Sequence, residues 1–81
     1  MELKQKFIEF EKQSRYYALI LHQDLWDTWL VTRIWGRKGS NKRYKHEPYE
    51  SYEAAFTYME KLAFYRQQKR KYLKILQKST K

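Results

Sequence analysis

No cysteine occurs anywhere in the 81-residue chain, which excludes disulfides and thiolate metal sites. The only histidines, His22 and His46, lie far apart in sequence, which argues against a zinc or iron centre. Glycine is equally scarce: Gly36 and Gly39 are the only two, and their spacing makes no phosphate-binding loop. No Ser/His/Asp or Cys/His set has motif context, and the nearby acids Asp24 and Asp27 sit at a turn without a cleft. The reading is non-enzymatic, with no catalytic residue, metal or cofactor. No run approaches the roughly 20 apolar residues of a membrane span. The opening "MELKQKFIEFEKQ" is charged every few residues and lacks the apolar stretch of a signal peptide. A soluble, cytoplasmic protein without membrane contact is expected.

Acids are missing from two long windows. None occurs over residues 28–46, and none follows Glu60. The first window holds Arg33, Arg37, Lys38, Lys42, Arg43 and Lys45. The second holds Lys61, Arg66, Lys69, Arg70, Lys71, Lys74, Lys78 and Lys81. Together they carry fourteen of the eighteen cations in a chain of formal net charge +9. Such clustering is the electrostatic footprint of a protein that meets polyanions, chiefly nucleic acid. For the C-terminal cations alone, a solubilising basic tail is the simpler account.

What the chain has in quantity is aromatic side chains, 19% of its residues. A single domain this small buries only roughly 60% of its unfolded surface, so its core depends on large rings. Residues 7–10 alternate weakly and suit a first, edge strand, with a turn at Gln13 and Ser14. Residues 15–23, "RYYALILHQ", suit a strand within a sheet. Residues 24–27, with two acids, read as a hairpin loop. "TWLVTRIW", residues 28–35, is rich in strand formers. Alternation puts Leu30, Thr32 and Ile34 on one face, the expected core side. Trp29, Val31, Arg33, Trp35 and, if no bulge intervenes at Gly36, Arg37 fall on the other. Residues 39–41 read as a turn, and residues 42–47 as a further strand ended by Pro48.

Ser51 is a natural helix N-cap, with Glu50 and Glu53 near the positive end of the helix dipole. From there Tyr52, Ala55, Phe56, Met59, Leu62 and Ala63 recur at helical spacing. The spacing predicts an amphipathic helix to about Gln68, lying across a sheet. Tyr58, Phe64 and Tyr65 fall off that stripe and indicate either a wider buried face or a second contact surface. Residues 72–76 fit a last strand or a continued helix equally well.

The order of these elements resembles a known family. "SRYYALIL" (residues 14–21), "WGRKG" (residues 35–39) and "SYEAA" (residues 51–55) together resemble the WGR domain over about residues 7–72. The resemblance implies an α+β fold, a small twisted antiparallel sheet with one helix packed across it. The whole chain then reads as one such domain, core about 7–76 and basic tail 77–81. In the poly(ADP-ribose) polymerases this domain contacts DNA at breaks and relays the signal to a neighbouring catalytic domain. The motif Trp packs there on the terminal sugar and base while nearby cations hold the backbone. By resemblance Trp35 and Arg37 carry the contact here. The chain departs from the family after the helix. Arg66 stands where a Lys is usual, Tyr72 serves as the following aromatic, and Lys71 occupies the usual Gly.

Trp35 alone reads equally well as core or as an exposed stacking group; its flanking Arg33 and Arg37 favour stacking. The expected interface is Arg33, Trp35 and Arg37 with Lys38, Lys42, Arg43 and Lys45, on nucleic acid and on DNA rather than RNA, ends or nicks included by resemblance. The alternative is a protein-docking module whose basic surface is not used for DNA. Trp26, between acids in a loop, or the helix aromatics would then meet a partner enzyme or a second copy. Single strands and RNA draw on the same chemistry of cations and rings.

Overall fold

The computed structural model describes residues 5–80. Its elements are β1 (Gln5–Lys12), β2 (Arg15–Gln23), β3 (Trp29–Arg37), β4 (Arg43–Tyr49), α1 (Tyr52–Gln68) and β5 (Leu73–Thr80). The strands form one antiparallel sheet in the order β4-β3-β2-β1-β5. β1 to β4 form a meander, and α1 carries the chain back across the sheet to β5 on the far side of β1. This is the expected α+β architecture, one helix packed across a small sheet.

Local chemistry sets the joints. Gln13 takes a left-handed backbone (φ 57) in the two-residue turn between β1 and β2. In the next loop Asp24 Oδ1 accepts from the Trp26 and Thr28 backbone N–H groups at 2.8 and 3.0 Å, an aspartate turn. That leaves Leu25 and Trp26 on the surface, 93% and 80% exposed. Ser51 caps α1 as expected, its Oγ accepting from Ala54 N at 3.1 Å. At the other end Tyr72 N donates to the Arg66 carbonyl at 2.8 Å. Lys71, at the family's glycine position, adopts φ 59. The turn a glycine would make is therefore made by a lysine.

The core lies between α1 and one sheet face. Ala55, Met59 and Ala63 of the helix meet Ile8, Phe10, Tyr17, Leu19, Leu21 and Val31, with Tyr72 closing one end. Rings extend it: Trp29 meets Tyr52 edge-on at 5.0 Å, and Tyr49 meets Tyr58 at 5.2 Å. Tyr58 thus belongs to a widened buried face, whereas Phe64 and Tyr65 remain exposed.

Four expectations are corrected. The helix covers the Trp29, Val31, Arg33 and Trp35 face of β3, not the Leu30, Thr32 and Ile34 face. Apolar residues are nearly balanced between the two faces, and Arg33, which made its face look solvated, is neutralised by Glu47. Thr32 is nonetheless buried on the open face, its hydroxyl bridging His22 Nε2 and His46 Nδ1 at 2.7 Å each. β1 is interior rather than an edge, because the ambiguous segment after Tyr72 becomes β5 and pairs outside it. Pro48 does not end β4; it lies within that strand, tolerated because β4 is an edge. Residues 77–80 are paired strand, with Gln5 opposite Thr80, not a loose tail; Lys81 lies outside the described residues.

Candidate nucleic-acid interface

The end of β3, the start of β2 and the end of α1 meet at one corner of the domain. Strand pairing sets Arg15 directly opposite Arg37, and Tyr17 opposite Trp35, without a bulge at Gly36. The chain after Arg37 folds back so tightly that a Cβ on Gly36 would lie 3.3 Å from Lys42 Cα. Only glycine fits such an approach without displacing backbone. Above this corner the last turn of α1 delivers Arg66 and the following turn Arg70. The result is a cleft of about 350 Å³ lined by Arg15, Arg37, Arg66 and Arg70 together with Tyr16, Trp35, Gly36 and Tyr72. Four guanidiniums and three aromatic rings share it, and among the described residues no acid lines it.

Trp35 is half-buried: it packs against the core and also lines the cleft. The two roles its sequence context offered are thus compatible in one side chain. Arg33 is on the same strand face but does not line the cleft. Its Nε is 3.2 Å from Glu47 Oε1, too far off axis for a good hydrogen bond, so charge holds the pair. Its guanidinium lies 5.9 Å from the centre of the Trp35 ring and supports the indole from behind the cleft. Arg66 sits 3.8 Å over the ring of Tyr17 and 5.3 Å from that of Tyr72, which fixes the long side chain against apolar faces. Tyr17 is buried beneath it, its hydroxyl facing Arg66 and Arg33 but making no well-formed hydrogen bond among the described residues. Burial pushes that phenol's pKa up, with Arg66 and Arg33 pulling it back.

The remaining cations divide. Arg43 and Lys45 are exposed on β4, directly opposite Trp35 and Arg33, and extend the basic surface from the cleft along the sheet edge. Lys38 and Lys42 do not join them. Lys38 Nζ pairs with Glu11 Oε1 at 2.8 Å, and Lys42 Nζ lies 5.1 Å over the Tyr16 ring. Tyr16 in turn donates to Glu9; burial first and that carboxylate second push its pKa upward. Of the seven sequence-predicted site residues, Trp35 and Arg37 line the cleft and Arg43 and Lys45 flank it. Arg33 and Lys38 are the two that pair with acids among the described residues.

Sequence reasoning left Arg15 out of the interface and placed Arg66 and Arg70 only in the second acid-free window, with Arg66 also standing in for the family's helix lysine. One signal for Arg15 was in reach. The strands read from sequence, 15–23 and 28–35, bring it opposite Gly36, one residue from Arg37. The structure sets the two arginines opposite, and like charges directly opposed are unfavourable unless an anion joins them. Arg70 carried no local signal, since only the packing of α1 brings it to this corner.

The sequence model of the WGR domain matches residues 2–79. Comparison with curated proteins and with solved structures finds no match. A match over nearly the whole chain, with the "WGR" tripeptide forming the floor of an arginine-lined cleft, is decisive for the family. This chain belongs to the WGR domain family of small nucleic-acid-binding modules, which bind rather than catalyse.

Proposed function

We propose that this WGR domain binds DNA at the arginine cleft and favours strand ends or nicks. The observation that carries the reading is the acid-free convergence of Arg15, Arg37, Arg66 and Arg70 around a half-buried Trp35. Guanidiniums pair bidentately with phosphate oxygens, and clustered like charges are relieved when a polyanion supplies the opposite sign. The Trp35 ring offers a flat apolar surface among those cations. Stacking a base or sugar on such a ring contributes about 1–3 kcal/mol per contact, and a strand terminus presents that face where a continuous duplex hides it. Arg43 and Lys45 continue the backbone track. Arg33 acts indirectly, holding Trp35 in place. Lys38 and Lys42 add to the field rather than gripping phosphate. Binding of this kind has little sequence preference.

The test is fluorescence anisotropy with a nicked duplex, an intact hairpin-capped duplex and a single strand, each at several salt concentrations. With four arginines engaged, the log–log salt slope is about −3 to −4, and the nicked duplex binds tighter than the capped one. Trp35→Ala, checked for folding by near-ultraviolet circular dichroism, removes that preference. Equal affinity for nicked and capped duplexes would overturn the end reading. A tighter grip on the single strand would move the assignment to unpaired nucleic acid.

A further inference from the structure

The helix that supplies Arg66 to the cleft carries a second concave surface on its outer side. Phe64 points away from the core and is 62% exposed; Tyr65 beside it is 48% exposed. With Phe56 they line a shallow groove of about 570 Å³ that also includes Lys61, Lys69 and Glu60. Phe64 and Tyr65 are exposed and Phe56 is half-buried against the core, so the rings form a rooted apolar patch, which on a small domain marks an interaction surface. Aromatic side chains are also enriched at the centres of protein–protein interfaces.

The charges around the rings select the occupant. Lys61 and Lys69 border the groove, and neither pairs with an acid among the described residues. A second copy of a chain with net charge +9 would bring lysine against lysine. Nucleic acid has a better site in the arginine cleft; here Glu60 stands in the lining and no arginine does. A partner with carboxylates outside and large apolar groups inside satisfies both the lysines and the rings. We propose that the outer side of α1 is a second binding surface, and that its ligand is an acidic protein segment whose apolar side chains pack on Phe56, Phe64 and Tyr65. The inference uses no residue of the cleft, and rests on the DNA reading only where it gives nucleic acid a better site elsewhere.

The test follows amide resonances of the ¹⁵N-labelled chain during titration with three probes. These are a soluble peptide of glutamate and leucine residues, the same peptide with lysine for glutamate, and a thymidine oligonucleotide. The glutamate–leucine peptide is expected to shift Thr57, Lys61 and Phe64, and the lysine peptide to leave them unmoved. Phe64→Ala should weaken the glutamate–leucine peptide roughly 30-fold, the loss expected of a central anchor, and Lys61→Glu should weaken it further. Phe64→Ala should bind nicked DNA as the parent does. The proposal is overturned if the glutamate–leucine peptide shifts only the cleft residues, or binds Phe64→Ala undiminished. It also fails if the oligonucleotide occupies α1 in a Phe64-dependent way, or if sedimentation gives a dimer that Phe64→Ala dissolves.

Discussion

Arg66 and Phe64 are two residues apart on α1, roughly 200° around the helix, and they serve surfaces of opposite character. On Arg66's side, four guanidiniums surround a half-buried indole with no acid in the lining. On Phe64's side, three rings are edged by two lysines and one glutamate. The first is built for charge and is sensitive to salt; the second is built for apolar area with charge at its rim. One helix supplies both because its core-facing side, centred on Ala55, Met59 and Ala63 and widened by Tyr52, Phe56, Tyr58 and Leu62, takes about half of its circumference. The other half is left to meet ligands.

The strongest way to break this comparison is to unseat the helix itself. Met59 is fully buried between α1 and the sheet, and Met59→Ala should cost about 2–5 kcal/mol. Urea denaturation should report that loss, and both surfaces should weaken together. If one survives intact, it does not depend on how α1 is seated. Next come the cleft arginines. Arg37→Ala and Arg15→Ala should each cost about 1.5–3 kcal/mol of duplex affinity and flatten the salt slope by about 0.9 for each phosphate no longer neutralised. Thermal stability should hold or rise, because the Arg15–Arg37 opposition is removed. Unchanged affinity in both variants would empty the cleft of its assigned role.

A smaller change sharpens the role of Arg33. Glu47→Gln should lower stability by up to about 1 kcal/mol, since the pair is partly exposed. Duplex affinity should rise, because an acid beside the basic edge is lost while Arg33 keeps its place over Trp35. A fall in affinity would mean that Glu47 matters chiefly by holding Arg33 against Trp35. The smallest effect concerns His22, which lies on the sheet face that α1 leaves open, behind both surfaces. Burial first and the charge of His46 second depress its pKa below the ordinary histidine value. The fold therefore favours the neutral ring. That stability is fully present above about pH 6.5, the unfolded value, and is lost as pH falls through the lower folded one. Melting curves from pH 8 to pH 5 should show a modest decline that His22→Gln removes. A decline of equal size in His22→Gln would assign it to other groups.

Much of the fold was legible because the punctuation is local. Ser51 and the 3.6-residue recurrence after it define α1 to its last residue, and the aromatic run of residues 15–23 coincides with β2. The core side of β3 was not legible. Two apolar residues and a threonine on one face compete there with two tryptophans and a valine on the other, and a paired arginine looks the same in sequence as a solvated one. The site was half legible for the same reason. Trp35 and Arg37 sit inside a motif, whereas Arg15, Arg66 and Arg70 converge only once α1 has crossed the sheet. Lys38 and Lys42 look equivalent to Arg43 and Lys45 until Glu11 and Tyr16 are seen beside them.

The pairing of Gln5 with Thr80 has a consequence for how such a domain is built into larger assemblies. The two ends of the described residues share a single corner, and an element whose ends lie together suits insertion into a surface loop. That corner is at the opposite end of β1 and β5 from the arginine cleft, roughly 25 Å away along eight residues of strand. A host attached there would leave the end that carries the arginine cleft clear.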